Sequence, residues 1–421
     1  MLHISPNRRF LTDTDGRPFF YLGDTAWELF HRCTLDESEH YLRDRAAKGF
    51  SVIQAVALAE IDGLHVPNRQ GHTPLINDDP MRPNEAYFAH IDQVLGLASS
   101  LGLYIGMLPT WGDKWNKKWG VGPEIFTAEN AYSYGSFIGR RYAGQNIIWI
   151  MGGDRPIESE QQRSILRAMA DGIRTADGGQ HLMGFHTWGA HSSSDYVQDE
   201  PWLDLHMCQS GHARNSENWR FIADDYARTP TRPVMDAEPG YEDIPDGLHT
   251  LNGGYLDDYD VRKALYWALF AGAHGHTYGC NPVWQMWQRD RQPLIGARRP
   301  WQAALQLPGA SQVQYARQLL LSRPFLTRIP DQSMIRSDIG TGSYHVQATR
   351  DSEGSYAMVY LPAGQAVELD LSKLTGTQLR ACWYDPRTGV SSQIGSFAKQ
   401  ASLHFTPPGG GPDWVLVVDA C

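Results

Sequence analysis

The sequence predicts an α/β fold: a (β/α)8 TIM barrel followed by a small antiparallel β-sandwich. Three observations carry that reading. From Phe19 to about Tyr278 short apolar runs alternate with longer amphipathic stretches, and eight such runs can be counted. The runs are almost continuously apolar, as parallel strands covered on both faces must be, and eight strand–helix units close into a barrel. After about Asp331 the pattern changes to period two with turn signals every 8–12 residues, which is the signature of antiparallel strands.

The strands are expected at 19–23, 51–58, 103–108, 147–151, 182–186, 203–208, 233–238 and 275–279. Helix-like stretches lie between them. The first, "TLDESEHYLRDRAAKG", has Thr34 as N-cap, Glu37 completing a capping box and Gly49 past its end. "NEAYFAHIDQVLGLASSLG" and "DDYDVRKALYWALFAG" read the same way. A doubly wound open sheet would carry a glycine-rich phosphate turn after an early strand, and "YLGDTAW" is not one. The tail is read from "YHVQATRDSEGSYAMVYLPAGQAVELDLSKLTGTQLRACWYDPRTG" and "FTPPGGGPDWVLVVDA". With "LSRPFLTRIPDQS" as the joint, the expected division is residues 1–330 for the catalytic barrel and 331–421 for the sandwich.

A chain of 421 residues is long enough for one large domain and a smaller one. A formal net charge of −10 and an isoelectric point near 5.9 argue against nucleic acid and against an anionic membrane surface as partners. No apolar run reaches the roughly 18 residues of a membrane span, and "MLHISPNRRF" lacks a signal-peptide core. The expectation is a cytoplasmic protein as written, or a periplasmic or secreted one if a leader has been removed. The five cysteines are scattered without ligand spacing and read as buried or free thiols.

In a barrel of this kind the residues that follow each strand face the active site. Here they are Asp24, Gln54, Trp111, Asp154, His186, Gln209 with His212, Glu238 and Tyr278. Asp154 follows the fourth strand in "WIMGGDRP" and Glu238 the seventh in "PVMDAEPG". Two carboxyls on opposite walls of one mouth suit glycosidic cleavage, where an acid protonates the leaving oxygen and a carboxylate attacks the sugar or activates water. Each taken alone could be a turn former. The pairing at strands four and seven is not something a turn requires. Gly152 and Gly153 would let the backbone bend and approach a ligand closely. Tryptophan is abundant, 14 in all, and clusters after strands three, five and eight, so Trp111 and Trp284 are expected to stack on sugar faces. The histidines are read as substrate-binding groups, and neither a metal nor another cofactor is expected.

"RFLTDTDGRPFFYLGDTAWELFHR", "GFSVIQAV", "NIIWIMGGDRP" and "RPVMDAEPGYE" together resemble the apiosidase-like catalytic domain of glycoside hydrolase family 140. The tail, with "ACWYDPRTG" and "DWVLVVDA", resembles the β-sandwich that follows it in that family, named as a putative collagen-binding domain. The resemblance implies a barrel that hydrolyses with retention, using Asp154 as general acid/base and Glu238 as nucleophile. Where the broader retaining clan places Asn-Glu after strand four, this sequence has Asp154, whose side chain is one methylene shorter. The expected substrate is a plant or bacterial polysaccharide or its oligosaccharides, such as an apioside or another furanoside. The loop at 65–80 is expected to set specificity. Two competing readings are a non-catalytic glycan-binding barrel and a metal-dependent hydrolase built on His186, His206 and Asp236. Oligomeric state is not legible in the sequence.

Overall fold

The structure is a computed structural model that describes residues 1–249 and 254–421. Eight parallel strands form the barrel: β1 (Tyr21–Thr25), β2 (Val52–Leu58), β3 (Tyr104–Thr110), β4 (Ile147–Gly152), β5 (Met183–His186), β6 (His206–Gln209), β7 (Val234–Asp236) and β8 (Gly275–Tyr278). All eight overlap the expected segments. Parallel ladders join β5 through β1 to β8 and on to β6, leaving the seam between β5 and β6 outside the ladder. There the Asp204 N–H donates to the Met183 carbonyl (2.8 Å), and a short antiparallel strand, His191–Ser192, pairs with β6. Met207 packs over Gly184 at this seam, where its Sδ would stand 2.8 Å from an added Cβ.

Helices follow the strands in turn: α1 (Leu35–Ala47), α2 (Glu85–Ser100), α3 (Ala128–Tyr142), α4 (Glu160–Asp177), the single turn α5 (Ser194–Val197), α6 (Asn218–Tyr226), α7 (Asp258–Phe270) and α8 (Pro308–Leu321). The capping box read at Thr34 and Glu37 is formed, with both reciprocal bonds in place. Thr127 with Asn130 and Asp257 with Asp260 close equivalent caps on α3 and α7.

Side-chain parity along the strands divides the core in two. Val52, Val56, Ile148, Ile150 and Met235 fill the barrel interior, while Ile53, Ala55, Ala57, Trp149 and Met151 pack on the helices. The same parity governs polar positions, and it decides which strand-end residues can reach the mouth.

The tail is a six-stranded antiparallel sheet in the order β9 (Arg328–Pro330), β10 (Gln347–Asp351), β11 (Tyr356–Leu361), β16 (Trp414–Ala420), β13 (Gln378–Asp385) and β14 (Val390–Ala398), facing the two-stranded pair β12 (Val367–Asp370) and β15 (Ser402–Phe405). Its sheet already includes Arg328–Pro330, ahead of the expected boundary at 331. One face, with Met358, Tyr360, Tyr384 and Val417, belongs to the barrel's outer core. The opposite face, with Val359, Leu361, Trp383 and Leu416, makes the sandwich core. Polar anchors fix the junction: Arg262 of α7 makes a buried two-point pair with Asp413 (3.0 Å each), and Trp267 Nε1 donates to the His345 carbonyl (2.8 Å). Among the described residues no helix is long and apolar enough to cross a membrane.

Candidate active site

The fourth strand ends in an unusual piece of backbone. Gly152, Gly153 and Asp154 all have positive φ, at 95°, 103° and 55°. Left-handed backbone is available to glycine without steric cost and strains other residues. Space is as restrictive as conformation here. A Cβ on Gly152 would stand 2.2 Å from the His186 carbonyl oxygen, and one on Gly153 would stand 2.7 Å from the Gly112 nitrogen. The two glycines form a strip wedged between the ends of β3 and β5, where the Gly153 N–H donates to the His186 carbonyl (3.0 Å) and its own carbonyl accepts from Gly112 (3.0 Å). Trp115 Nε1 donates to the Gly152 carbonyl (3.2 Å). The strip delivers Asp154 into the mouth.

Asp154 Oδ2 accepts from Trp119 Nε1 (3.2 Å) and from the Arg155 guanidinium (3.2 Å). With both donors on one oxygen, the other is left for a proton. The Asp154 backbone N–H donates to His186 Nδ1 (3.1 Å). A ring nitrogen that accepts carries no hydrogen, so the proton of a neutral His186 sits on Nε2. That Nε2 lies 2.8 Å from Glu238 Oε2, at contact distance but off-line for a well-formed hydrogen bond. His212 Nε2 stands 3.2 Å from the other oxygen, Oε1. One imidazole therefore touches the backbone of the first acid and the carboxylate of the second.

The two carboxyls are displaced in opposite directions. Burial, and next the Glu238 charge, raise Asp154 to about 6. Glu238 is buried too, and burial alone would raise it, but contacts with His186 and His212 outweigh that effect and hold it well below the ordinary carboxylate range. One carboxyl is thus kept protonated in mild acid while its neighbour stays ionised.

Both line a cavity of about 360 Å³, together with Trp27, Glu60, Trp111, Trp119, Gly189, Gln209, Gly211, His212, Tyr241, Ile244, Leu248, Trp284 and Ile295. Of the residues expected to bind substrate, Trp111, Gln209, His212 and Trp284 line this cavity. His186 lies just beneath, edge-on to Trp27 and against Trp111.

Asp24, Gln54 and Tyr278 were expected to bind substrate and are not among the lining residues. Asp24 and Tyr278 fall on the outward parity of β1 and β8. Asp24 accepts from Tyr41 (2.5 Å) and Arg45 (2.6 Å) of α1, and Tyr278 donates to Glu242 (2.5 Å). Gln54 points inward but lies deeper than the mouth, where its amide donates to the Ala237 carbonyl (3.0 Å). The metal-dependent alternative loses two of its proposed ligands to structural bonds. Asp236 accepts from Ser210 (2.7 Å) and Asn218 (3.0 Å), and His206 Nδ1 meets the Ser193 hydroxyl (3.1 Å).

Residues missed from the sequence include Trp27, Glu60, Trp119 and Tyr241. Glu60 is pushed up to about 8, by burial first and then by the Asp154 charge. Its signal was its place just beyond the last residue of β2, where Gln54 sits inside the strand. Buried Lys114 ties this loop down, donating to the Ala59 (2.7 Å) and Glu60 (3.3 Å) carbonyls while paired with Asp113.

A parallel barrel whose C-terminal mouth holds an acid and an ionised carboxylate among tryptophans has the makings of a glycosidase site. Comparison with known proteins agrees. Residues 5–327 match the family described as Apiosidase-like, catalytic domain, and residues 329–419 match the putative collagen-binding domain of a collagenase. A solved glycoside hydrolase is similar over the whole chain, with 35% identity, 96% of that chain covered and a TM-score of 0.92. A glycoside hydrolase family 5 structure from Bacteroides vulgatus ATCC 8482 is 34% identical over the whole chain and 93% of its own, also with a TM-score of 0.92. A putative glycoside hydrolase from the same organism, at 16% identity and a TM-score of 0.73, covers the whole chain and 82% of its own and shares the fold. No curated protein matches. The protein is a glycoside hydrolase. The chain belongs to the apiosidase-like family.

Proposed function

We propose that the protein is a retaining exo-glycosidase that removes a terminal sugar from a plant or bacterial polysaccharide or its oligosaccharides, with furanosides such as apiosides the first to test. The observation that carries this reading is the opposite displacement of Asp154 and Glu238 within one cavity. Asp154, protonated in mild acid, gives its proton to the leaving oxygen as the glycosidic bond breaks. Glu238, ionised, attacks the anomeric carbon and forms a glycosyl ester. The Asp154 carboxylate then takes a proton from water, whose oxygen displaces Glu238 and frees the sugar.

Low basicity of Glu238 favours attack on the sugar over activation of water. A general base works best with a pKa near the working pH, and a carboxylate held far below that range is a poor proton acceptor. It remains a competent nucleophile and a good leaving group. A volume of about 360 Å³ lies at the low end of ligand pockets, roughly 300–1,000 Å³, and suits one terminal sugar better than a threaded chain.

The test is a panel of aryl glycosides and plant glycans with product detection, run on wild type, Glu238→Gln and Asp154→Asn. Released monosaccharide from wild type, absent from Glu238→Gln, supports the reading. Polymer fragments without monosaccharide would refute the exo mode. Undiminished turnover by Glu238→Gln would remove Glu238 from its role.

A further inference from the structure

From the rim of the cavity, which Trp119 itself lines, a row of aromatic rings runs on from Asp154. Trp119, whose indole N–H bonds the acid, is 55% exposed. Its ring lies 6.0 Å from that of Trp188 at an interplanar angle of 31°, and Trp188 stacks on His191 at 4.6 Å and 9°. The row is held from behind. The Arg155 guanidinium, itself fully buried, sits 4.4 Å from the Trp119 ring centre, and Trp188 Nε1 donates to the Tyr196 hydroxyl (2.7 Å). Neighbouring Gly189 lines the cavity, so the shelf is continuous with it.

A tryptophan kept only for packing would be expected to bury most of its ring, and Trp119 does not. Direction gives the shelf a meaning. The acid of a glycosidase stands beside the oxygen of the departing group, and Trp119 is attached to that acid. Glu238, in contact with His186 and His212, is the more deeply buried of the two carboxyls. A sugar bound between the carboxylates therefore has its substituent leaving past Trp119 and toward Trp188.

We propose that Trp119 and Trp188 form the leaving-group subsite, and that its occupant is a sugar ring of the glycan to which the cleaved residue is attached. This rests on the glycosidase reading above. Ring C–H groups stack on the indole faces, and the hydroxyls at the ring edge reach Lys118 and Glu158, which pair with each other beside the shelf (2.5 Å). Trp188 touches neither carboxylate, so changing it leaves the bond-breaking groups in place.

The experiment compares two substrates of one sugar: the shortest oligosaccharide that the wild type cleaves in the glycan panel, and the glycosyl fluoride of the monosaccharide it releases. Fluoride has no ring to stack. Trp188→Ala is expected to lower kcat/KM on the oligosaccharide at least tenfold while that on the fluoride stays within twofold, and Trp188→Phe, which keeps a ring face, should recover most of the loss. An equal fall on both substrates would make Trp188 a structural residue, and an unchanged oligosaccharide rate would leave the shelf without a role; either overturns the proposal. Wild type that cleaves the fluorides but no oligosaccharide also overturns it. Wild type that cleaves neither refutes the exo-glycosidase reading proposed above, and the subsite falls with it.

Discussion

Glu238 and Asp154 differ by one methylene, and their surroundings account for the rest. On the proposed mechanism, replacing Glu238 by Gln keeps shape and removes the nucleophile, so kcat should fall by at least about 10⁴-fold and toward the roughly 10⁶-fold seen on losing a nucleophile. Stopped assays on the best aryl glycoside check this. The pH dependence follows from the two displacements. In the proposed mechanism activity needs Asp154 protonated and is lost as pH rises through about 6; it needs Glu238 ionised and is lost as pH falls through a value below the usual carboxylate range. The kcat/KM profile is therefore a bell with its basic limb near 6. Trp119→Phe removes an N–H that favours the carboxylate form of Asp154, so the basic limb should move to higher pH. A limb unmoved in that variant would dissociate Trp119 from the acid.

Stability carries the same information with a definite sign. Because Asp154 is raised from 3.8 to about 6, the unfolded chain releases this proton first, and stability declines as pH rises between those values. Asp154→Asn removes the penalty. The variant should match wild type below pH 3.8 and exceed it above pH 6 by about 2 kcal/mol, the two-unit shift discounted for a carboxyl one-fifth exposed. Denaturant unfolding at pH 3.5 and pH 7.5 measures the difference.

At the scale of elements, the end of β4 is where sequence and structure agree most closely. Apolar periodicity located the eight strands, since parallel strands covered on both faces leave little choice of residue. Gly-Gly before an aspartate was a fair sign of close backbone approach, and both glycines do meet backbone that a Cβ would strike. Gly152→Ala should cost about 3 kcal/mol, the upper end of what left-handed strain stores, with loss of activity as Asp154 shifts. Thermal unfolding and kcat read both effects. What could not be read was parity at the strand ends. Asp24 and Tyr278 sit in their strands as expected, but a shift of one residue exchanges barrel interior for helix face, and strand ends were not known to that precision; Gln54 has the inward parity and lies too deep, because β2 runs four residues beyond it to Leu58. Trp119, inside the tryptophan cluster after strand three but not singled out there, and Tyr241 escaped for a different reason: they come from loops, whose paths no periodicity records.

For the whole molecule, the tail completes the barrel's outer core. Its sheet is apolar on both faces, which is why "YAMVYL" and "WVLVV" read almost continuously apolar although the strands are antiparallel. Removing residues 328–421 would expose the outer faces of α7 and α8, so the truncated barrel is expected to aggregate, as light scattering would show. Asp413→Ala leaves Arg262 without its two-point partner and should cost about 3–5 kcal/mol, reduced to the extent that Asp258 and Gln312 still hold the guanidinium. Neither change touches the cavity. An Asp413 variant with unchanged stability would show that the tail is only loosely seated.

The claim on which the mechanism depends is that Glu238 attacks the sugar itself. The direct measurement is proton NMR of the first-formed product, recorded before mutarotation, from a substrate of known anomeric configuration. Two successive displacements predict that the freed sugar first appears with the configuration it had in the substrate. An inverted first product would mean that water attacked in a single step, and would contradict the account.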